Sequence, residues 1–180
     1  MSPLHFEELD QTRTIVFQSK AICIEYIYAR LAEEELILPV TEYEHLKSSG
    51  TPEEVFAVLL KLSDEMESLC PYMYRDIAKQ MNIQLDVENV VADAFFTLAM
   101  DITASGVTWG KVVAIYALAG ALAVDCVYQG QTAMIYAIVD SMGVFTYKYL
   151  SPWLLHRGGW GVLKSSVSWG LGELGTEKQL

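Results

Sequence analysis

The chain has 180 residues, of which 52% are apolar and 19% are charged. This length suits one domain that buries its own core, and the composition excludes a disulfide scaffold, a collagen-like chain and a disordered tail. Its 12 Lys and Arg against 23 Asp and Glu give a net charge of −11. We therefore expect no nucleic-acid partner, because such a partner needs a basic surface.

The cysteines and the N-terminus favour a reducing compartment. Cys23, Cys70 and Cys126 lie far apart and include no CxxC pair. The N-terminal sequence MSPLHFEELD carries acidic residues where a secretory signal needs a basic stretch followed by an apolar one. Export is not expected.

The first element is predicted to be one long amphipathic helix. Between residues 14 and 35, apolar side chains recur at steps of three and four, which is the spacing of one helix face. The side chains expected on this face are Phe17, Ala21, Ile24, Tyr28 and Leu31. A polar stretch over residues 41–49 then predicts a loop.

The second and third helices are predicted from their end signals. Thr51 and Pro52 have the character of a helix start, and this helix should run to Leu69 because Pro71 then stops it. A short helical piece is predicted over residues 72–81. Asp86 should cap the next helix, which keeps a helical period of apolar residues to Ile102.

A hydrophobic hairpin is predicted in the second half. Residues 108–128 are apolar on almost every side, which is typical of a helix buried all round. Their longest apolar run, residues 112–124, has 13 residues and is shorter than the ~18 to 20 that span a bilayer. After a turn at Gly130, residues 132–149 are predicted as the partner helix. Its side chains expected to face inward are Met134, Ile135, Ile138, Met142, Phe145 and Tyr149.

Together these elements predict an all-α fold. We expect a globular bundle of seven to eight helices, in which amphipathic helices surround a central hydrophobic helical hairpin. Ser151 and Pro152 should cap a short helix over residues 153–157, and a last helix should begin near Trp160. The expected domain covers residues 1–170, followed by a frayed tail over residues 171–180.

Enzyme chemistry is not indicated. The sequence has no HExxH, GxxxxGK[ST], GxGxxG or GxSxG motif, and no pair of ExxH motifs for a di-iron site. His5, His45 and His156 fall in separate segments with no motif that links them to Cys or Asp. We expect no catalytic residues, no metal and no cofactor.

An apolar stripe in the second helix is a candidate for interaction with another helix. Val55, Leu59, Leu62 and Met66 follow one another at spacings of four, three and four. The small Ser63 permits close approach, and Asp64 places a carboxylate at the edge of the stripe, where a cation on a partner could pair with it. The alternative is an ordinary amphipathic helix packed on the core, and periodicity by itself favours that alternative.

Two tryptophan–glycine segments follow this stripe in a fixed order. The residues LSDEM (62–66), then SGVTWGKVV (105–113), then WLLHRGGW (153–160) resemble the third, first and second homology regions of the B-cell lymphoma-two (Bcl) family of apoptosis regulators. QSKAICIEYIYARL resembles the fourth region of that family. The similarity extends from Gln18 to Val167 and is specific, because several ordered motifs agree.

The resemblance implies a groove that receives a third-region helix from a partner, a mode of helix recognition known for this family. Its floor would lie near Val90, Phe95 and Val113, and its rim would be Trp109, Gly110 and Lys111. The second region would contribute Trp153, Gly158, Gly159 and Trp160. The basic rim residue of the family is usually Arg, and Lys111 cannot form the rigid two-pronged contact with a carboxylate that Arg forms.

Two activities are implied by the resemblance. Death-promoting effectors expose their own third region, oligomerise and permeabilise the outer mitochondrial membrane, whereas pro-survival members sequester the third-region helices of relatives in the groove. Within the family, the similarity of the sequence is strongest to an effector member, which favours the death-promoting activity. A third hypothesis is an all-α protein in which these motifs serve packing only.

The expected partners are third-region helices of Bcl family proteins, a second copy of the chain and, in the active form, a membrane. Most relatives end in an apolar anchor of about 20 residues, whereas this chain ends in GLGELGTEKQL. We expect a cytoplasmic location for the chain as given. A form with the anchor would reside in the mitochondrial outer membrane or the endoplasmic reticulum membrane.

Overall fold

The computed structural model describes residues 2–37 and 53–166. In these ranges the chain forms six α-helices of seven residues or more and one single helical turn, with no strand. The elements are α1 (Pro3–Glu33), α2 (Glu53–Leu69), the single turn α3 (Ile77–Gln80), α4 (Glu88–Ile102), α5 (Trp109–Tyr128), α6 (Ile135–Phe145) and α7 (Ser151–Arg157). The all-α prediction is confirmed, and the helices are slightly fewer than the seven to eight expected.

Three further helical segments are not α-helical. A 3₁₀ turn, Thr132–Met134, precedes α6, a π turn, Thr146–Leu150, joins α6 to α7, and a 3₁₀ segment, Trp160–Ser166, follows α7. The predicted loop over residues 41–49, the start signal at Thr51 and Pro52, and the tail over residues 171–180 lie outside the described residues.

The central helix is α5, as its all-round apolar composition predicts. Thr108 begins it, because the Thr108 hydroxyl accepts the Lys111 backbone N–H at 3.2 Å. α5 packs against α1, α2, α3, α4 and α6. The side chains of Val112, Ile115, Leu118 and Leu122 have no exposed surface. This fully buried side places the most apolar helix of the chain in the core of the bundle, while the opposite side of α5 is only partly buried.

α5 also passes a simple test for membrane-spanning length. Among the described residues it is the one helix long and apolar enough to cross a bilayer, with 20 residues. The helix agrees with the prediction over residues 108–128, and its length passes this test although its longest apolar run has only 13 residues. Slightly more than half of its most apolar stretch, 56%, is buried within the bundle, and the core helix of a soluble protein passes the same test.

The hairpin of α5 and α6 forms as predicted, with one error of register. Gly130 makes the turn with φ of +70°, a value that favours glycine. Ile138, Met142 and Phe145 are fully buried as expected, but Tyr149 is 41% exposed. The π turn is the reason: its wider hydrogen-bond spacing shifts the inward position from Tyr149 to Leu150, which is fully buried.

α1 is longer than predicted and buries a wider face. Ser2 caps it by accepting the His5 backbone N–H at 3.4 Å, and Pro3 occupies the first turn, so the helix begins well before residue 14. Phe17, expected to face inward, is 41% exposed. α1 packs against both α5 and α6, so Ser19 and Tyr26, which lie beside the expected stripe, are buried instead.

A buried polar cluster joins α1 to α5 and to the π turn that follows α6. The Ser19 hydroxyl lies 3.0 Å from the Tyr116 hydroxyl and 2.6 Å from the Thr146 hydroxyl, and all three groups are buried. The Tyr116 hydroxyl also donates to the Ser19 carbonyl at 3.0 Å. Each buried hydroxyl therefore has a hydrogen-bond partner within the cluster.

The segment between α2 and α4 departs from the prediction. The short helix expected over residues 72–81 is a single turn, and its Ala78 backbone N–H donates to an Asp125 carboxylate oxygen of α5 at 2.9 Å. The prediction that Asp86 caps the next helix is wrong. α4 begins at Glu88 after Val87, and no side chain caps it.

Candidate functional site

The apolar stripe of α2, the third-region helix, faces the core. Val55 and Leu59 have no exposed surface, Leu62 is 1% exposed, and Met66 is half-buried against the core. Glu53 and Glu54 lie in the first turn, where a negative charge favours the helix N-terminus. α2 packs on α5, α1 and the 3₁₀ segment Trp160–Ser166. The stripe therefore lies within the molecule and is not presented to a partner in this conformation.

Ser63 of α2 is held by two side chains of α1. Its hydroxyl is bonded to the Tyr26 hydroxyl and accepts from Arg30 Nη2 at 2.6 Å. Arg30 Nε in turn donates to the Tyr26 hydroxyl at 2.9 Å. Tyr26 and Ser63 are each only 1% exposed, so the hydrogen bond between their hydroxyls is buried.

Asp64 lies at the outer edge of the same contact. An Asp64 carboxylate oxygen accepts from Arg30 Nη2 at 3.2 Å, and Arg30 Nη1 donates to Glu33 at 2.6 Å. The Asp64 side chain is 58% exposed and that of Arg30 is 17% exposed. Asp64 does pair with a cation, as the sequence suggested, but here the cation belongs to α1 of the same chain.

Tyr26 and Arg30 were missed by the sequence reasoning. The helical stripe predicted for α1 passed through Tyr28 and included neither of these two residues. The available signal was their spacing of four, which places a phenol and a guanidinium on one face of a helix. The Arg30 guanidinium carbon lies 5.1 Å from the centre of the Tyr26 ring, so the pair forms one unit. Burial raises the pKa of Tyr26 above its ordinary value.

A glycine of α5 allows α1 to approach this closely. A Cβ atom at Gly120 would lie 2.7 Å from Tyr26 Cε1 and 3.1 Å from Arg30 Cγ. Real Cβ contacts do not reach 2.7 Å. The absence of a side chain at Gly120 therefore seats Tyr26 and Arg30 where they reach Ser63.

The predicted groove residues divide between core and surface. Phe95 and Val113 have no exposed surface and Trp109 is 1% exposed, so these three belong to the core in this conformation. Val90, Gly110 and Lys111 are half-buried. The Lys111 ammonium is bonded to the Ser105 hydroxyl at 2.7 Å and to the Gly106 carbonyl at 2.8 Å. It is thus folded back onto the loop that precedes α5.

The first and second homology regions meet at a tryptophan cluster. The ring centre of Trp109 lies 4.8 Å from that of Trp153, at an interplanar angle of 73°, and 6.0 Å from that of Trp160. Gly158 and Gly159 turn the chain between the last two with φ of +98° and +87°. Both glycines and all three tryptophans were singled out from the sequence, and the structure brings them together.

Within residues 2–37 and 53–166 there is no group of three or more His, Cys, Asp or Glu residues that could hold a metal ion.

Comparisons with known proteins agree with this geometry. A sequence profile described as apoptosis regulator proteins of the Bcl-2 family matches residues 59–160, more than half of the chain. The Bcl-2-related ovarian killer protein homolog B of Danio rerio is 48% identical over 164 residues, which cover 91% of this chain and 78% of that protein.

Solved structures give the same result. The solution structure of human BOK superposes with a TM-score of 0.74 at 46% identity, over 86% of this chain and 99% of that one. A crystal structure of Trichoplax adhaerens trBcl-2L2 bound to trBak BH3 has a TM-score of 0.69 at 17% identity, over 84% and 97% of the two chains. The latter likeness concerns the fold alone. From the family profile, the relatives and the three homology regions in one bundle, the chain belongs to the Bcl-2 family of apoptosis regulators.

Proposed function

We propose that this chain is a pro-apoptotic effector, which oligomerises and permeabilises the outer mitochondrial membrane by means of its third-region helix and its α5–α6 hairpin. The similarity to proteins named ovarian killer supports the pro-apoptotic direction. Regulators of this family act by binding and not by catalysis, so the proposal concerns contacts between helices and with lipid.

The burial of the α2 stripe is the observation that carries the proposal. A helix that serves as the ligand of another groove must present Val55, Leu59 and Leu62, yet these side chains are fully or almost fully buried in the described conformation. The chain thus buries both the apolar stripe of α2 and the apolar α5–α6 hairpin in the bundle. Both become available only when the bundle opens, which is the arrangement expected of an effector at rest.

The proposed partner of an exposed α2 is the groove of a second copy or of another family member. The Trichoplax relative crystallised with a BH3 helix supports a groove in this fold. In this chain the floor would be Phe95 and Val113, which must first be uncovered. Lys111 is the cation available to an incoming Asp64, provided that it leaves Ser105 and Gly106.

Release of a trapped dye from liposomes tests the effector function. The purified chain, held on the lipid surface by a C-terminal histidine tag and a nickel-chelating lipid, should release dye from liposomes with an outer-mitochondrial lipid composition. The matched control is the same chain on the same liposomes with the tag blocked by imidazole. No release at any protein concentration, with folding confirmed by circular dichroism, would contradict the proposal.

The second candidate function is a pro-survival type of binding module that sequesters third-region helices. The presence of a bound BH3 helix in the Trichoplax structure favours it. Isothermal titration calorimetry with a panel of third-region peptides distinguishes the two. Micromolar or tighter binding with no dye release supports sequestration, whereas dye release supports the effector.

A further inference from the structure

We infer that the cavity between the C-terminal ends of α1 and α2 and the partly buried side of α5 is a binding site for a small amphipathic organic cation, in which an ammonium group is joined to an apolar body. The cavity has a volume of about 540 Å³, within the range of ~300 to 1,000 Å³ that is typical of small-molecule sites. It is separate from the predicted groove. Among the described residues, its lining includes none of the groove residues Val90, Phe95, Trp109, Gly110, Lys111 and Val113.

The floor of the cavity is the partly buried side of α5. Ala117, Ala121 and Val124 line it at spacings of four and three, and each of them is half-buried. Because these side chains are small, the most apolar helix of the chain borders the cavity over about two turns. An apolar body that lies on this floor removes its own surface and that of the helix from water, which favours binding.

Tyrosine rings form the walls of the cavity. Tyr26 and Tyr74 line its inner part, and the more exposed Tyr72 and Tyr128 line its opening. The Tyr74 residue is half-buried, and its hydroxyl has no hydrogen-bond partner among the described residues. Since the face of a tyrosine ring attracts a cation, these walls suit an ammonium group better than an anion.

The lining carries an excess of negative charge. Five carboxylates and two guanidinium groups line the cavity, namely those of Glu33, Glu34, Glu67, Asp76 and Asp125 and those of Arg30 and Arg75. Three of the carboxylates already accept hydrogen bonds, from Arg30, from the Tyr128 hydroxyl and from the Tyr72 backbone N–H. The other two, Asp76 and Asp125, have no Lys or Arg nitrogen within 4.0 Å in the described part of the chain.

Asp76 and Asp125 are the two carboxylates that an ammonium group would neutralise. Asp125 Oδ2 accepts the Ala78 backbone N–H at 2.9 Å, and Oδ1 has no partner among the described residues. Burial raises the pKa of the Asp125 carboxyl above its ordinary value, and the negative charge of Asp76 raises it further. A cation bound beside both carboxylates removes this repulsion.

The lining disfavours other classes of ligand. A bare metal ion is not the expected cation, because residues 2–37 and 53–166 contain no group of three or more His, Cys, Asp or Glu residues that could hold one. An anion would be repelled by Asp76 and Asp125, and a neutral apolar molecule would leave both carboxylates without a counter-charge. Charge and apolar surface together therefore select an alkyl or arylalkyl ammonium ion.

Three probes of similar shape test the site with the full chain in solution. 4-Phenylbutylamine, 4-phenylbutanol and 4-phenylbutyrate carry a positive charge, no charge and a negative charge at the same end. Nuclear magnetic resonance titration follows the backbone amides of Tyr74, Ala121 and Val124. The amine should shift these amides in a saturable manner and bind about 10-fold more tightly than the alcohol, because it adds charge-assisted hydrogen bonds. The butyrate should bind most weakly.

Asp125→Asn tests the charge at the site. The amide oxygen of Asn can still accept the Ala78 backbone N–H, so the variant loses the charge and keeps the hydrogen bond. It should weaken binding of the amine by about 10-fold and leave binding of the alcohol unchanged. Asp101→Asn, at an exposed position of α4 outside the cavity, changes the net charge equally and should alter neither. Asp76→Asn carries the test if Asp125→Asn does not fold.

Ala121→Leu tests the floor without altering any charge. The larger side chain fills part of the cavity, and Leu is a good helix former, so α5 should persist. This variant should weaken binding of the amine and of the alcohol alike, whereas Asp125→Asn should weaken binding of the amine alone. Circular dichroism confirms the fold of each variant.

Several outcomes would overturn the site. Equal affinities of the amine and the alcohol, or tighter binding of the butyrate, would contradict its selection of a cation. Saturable shifts confined to amides outside the cavity, no saturable shift up to the solubility limit of the amine, or equal weakening by Asp101→Asn and Asp125→Asn would contradict its location. These titrations need neither a membrane nor a partner helix, so dye release tests the proposed function independently of them.

Discussion

The ring of Tyr26 occupies the space that a side chain at Gly120 would need. The two residues belong to α1 and α5, and an added Cβ would stand 2.7 Å from Tyr26 Cε1. Tyr26 also meets Tyr116, one turn earlier on α5, edge to face, with ring centres 6.3 Å apart. The Tyr26 ring thus packs against α5 at the position where Gly120 has no side chain. The Tyr26 hydroxyl is bonded to the Ser63 hydroxyl.

Gly120→Ala should destabilise the chain by about 1 to 3 kcal/mol, because the added methyl group overpacks the contact with Tyr26. Gly110→Ala is the control within the same helix, since its Cβ would meet nothing closer than Thr108 Oγ1 at 3.8 Å. That change should be neutral or stabilise by up to about 1 kcal/mol, as Ala is the better helix former. Urea unfolding measures both, and equal effects would contradict the close approach.

Ser63→Ala should destabilise the chain more than Asp64→Ala does. The first leaves the buried Tyr26 hydroxyl and Arg30 without their shared hydrogen-bond partner, which costs about 1 to 3 kcal/mol. The second breaks an ion pair of which the carboxylate is 58% exposed, so solvent screening limits the loss to about 0 to 1 kcal/mol. Urea unfolding of the two variants measures both losses of unfolding free energy. A larger loss for Asp64→Ala would mean that this carboxylate is desolvated.

Stability should fall at alkaline pH in a manner that depends on Tyr26. Burial raises the pKa of Tyr26 in the folded chain above the value of about 10 that a phenol has in an unfolded chain. The folded state therefore holds this proton more tightly, and its contribution is complete below pH ~10 and is lost as the pH rises further.

Tyr26→Phe should accordingly reduce the slope of the unfolding free energy against pH, above pH ~10, by up to about 1.4 kcal/mol per pH unit. Ser63→Ala removes the same hydrogen bond but keeps the phenol, so it should retain the steep dependence. Urea unfolding at a series of alkaline pH values measures the slopes. An unchanged slope in Tyr26→Phe would show that this phenol is solvated.

The three thiols should differ sharply in reactivity. Cys70 is exposed, whereas Cys23 and Cys126 have no exposed surface. Burial also raises the pKa of Cys23 well above its ordinary value, so little reactive thiolate is present on α1 at neutral pH. A chromogenic disulfide reagent should therefore label one thiol rapidly and two slowly.

The variant Cys70→Ser should lose the rapid phase of labelling and keep both slow phases. The slow phases report opening of α1 and α5, and they should accelerate in urea below the unfolding transition. Two rapid thiols in the parent chain at neutral pH would contradict the packing of α1 on the hairpin.

The bundle and its hairpin could be predicted because composition decides them. A helix as apolar as α5 has no stable place except the interior, and Thr108 supplies a cap that the sequence displays directly. The same reasoning failed at Tyr149. No residue type in Thr146–Leu150 signals a π turn, and this turn moves the inward position by one residue.

The candidate site could be predicted on α2 but not on α1. The stripe and Asp64 follow from local spacing, whereas Arg30 reaches them across 34 positions of sequence. The spacing of four places Tyr26 and Arg30 on one face of α1, but which residue of α2 they meet is set by the close approach at Gly120, which helical spacing does not encode. The groove residues Phe95 and Val113 were named correctly as apolar positions, yet apolarity does not tell a groove floor from a core.

The hydroxyl cluster of Ser19, Tyr116 and Thr146 has a consequence for any helix that would take the place of α1. Two of the three hydroxyls belong to the α5–α6 hairpin with its π turn, and both contact Ser19 of α1 in buried positions. When α1 leaves, both lose their shared partner, and an unpaired hydroxyl in an apolar setting is unfavourable by about 1 to 3 kcal/mol. A helix that replaces α1, or a second hairpin, would need a small hydroxyl or an amide side chain at the position that Ser19 occupies in the resting chain. The two hydroxyls of the hairpin therefore select which helix can replace α1 at this position.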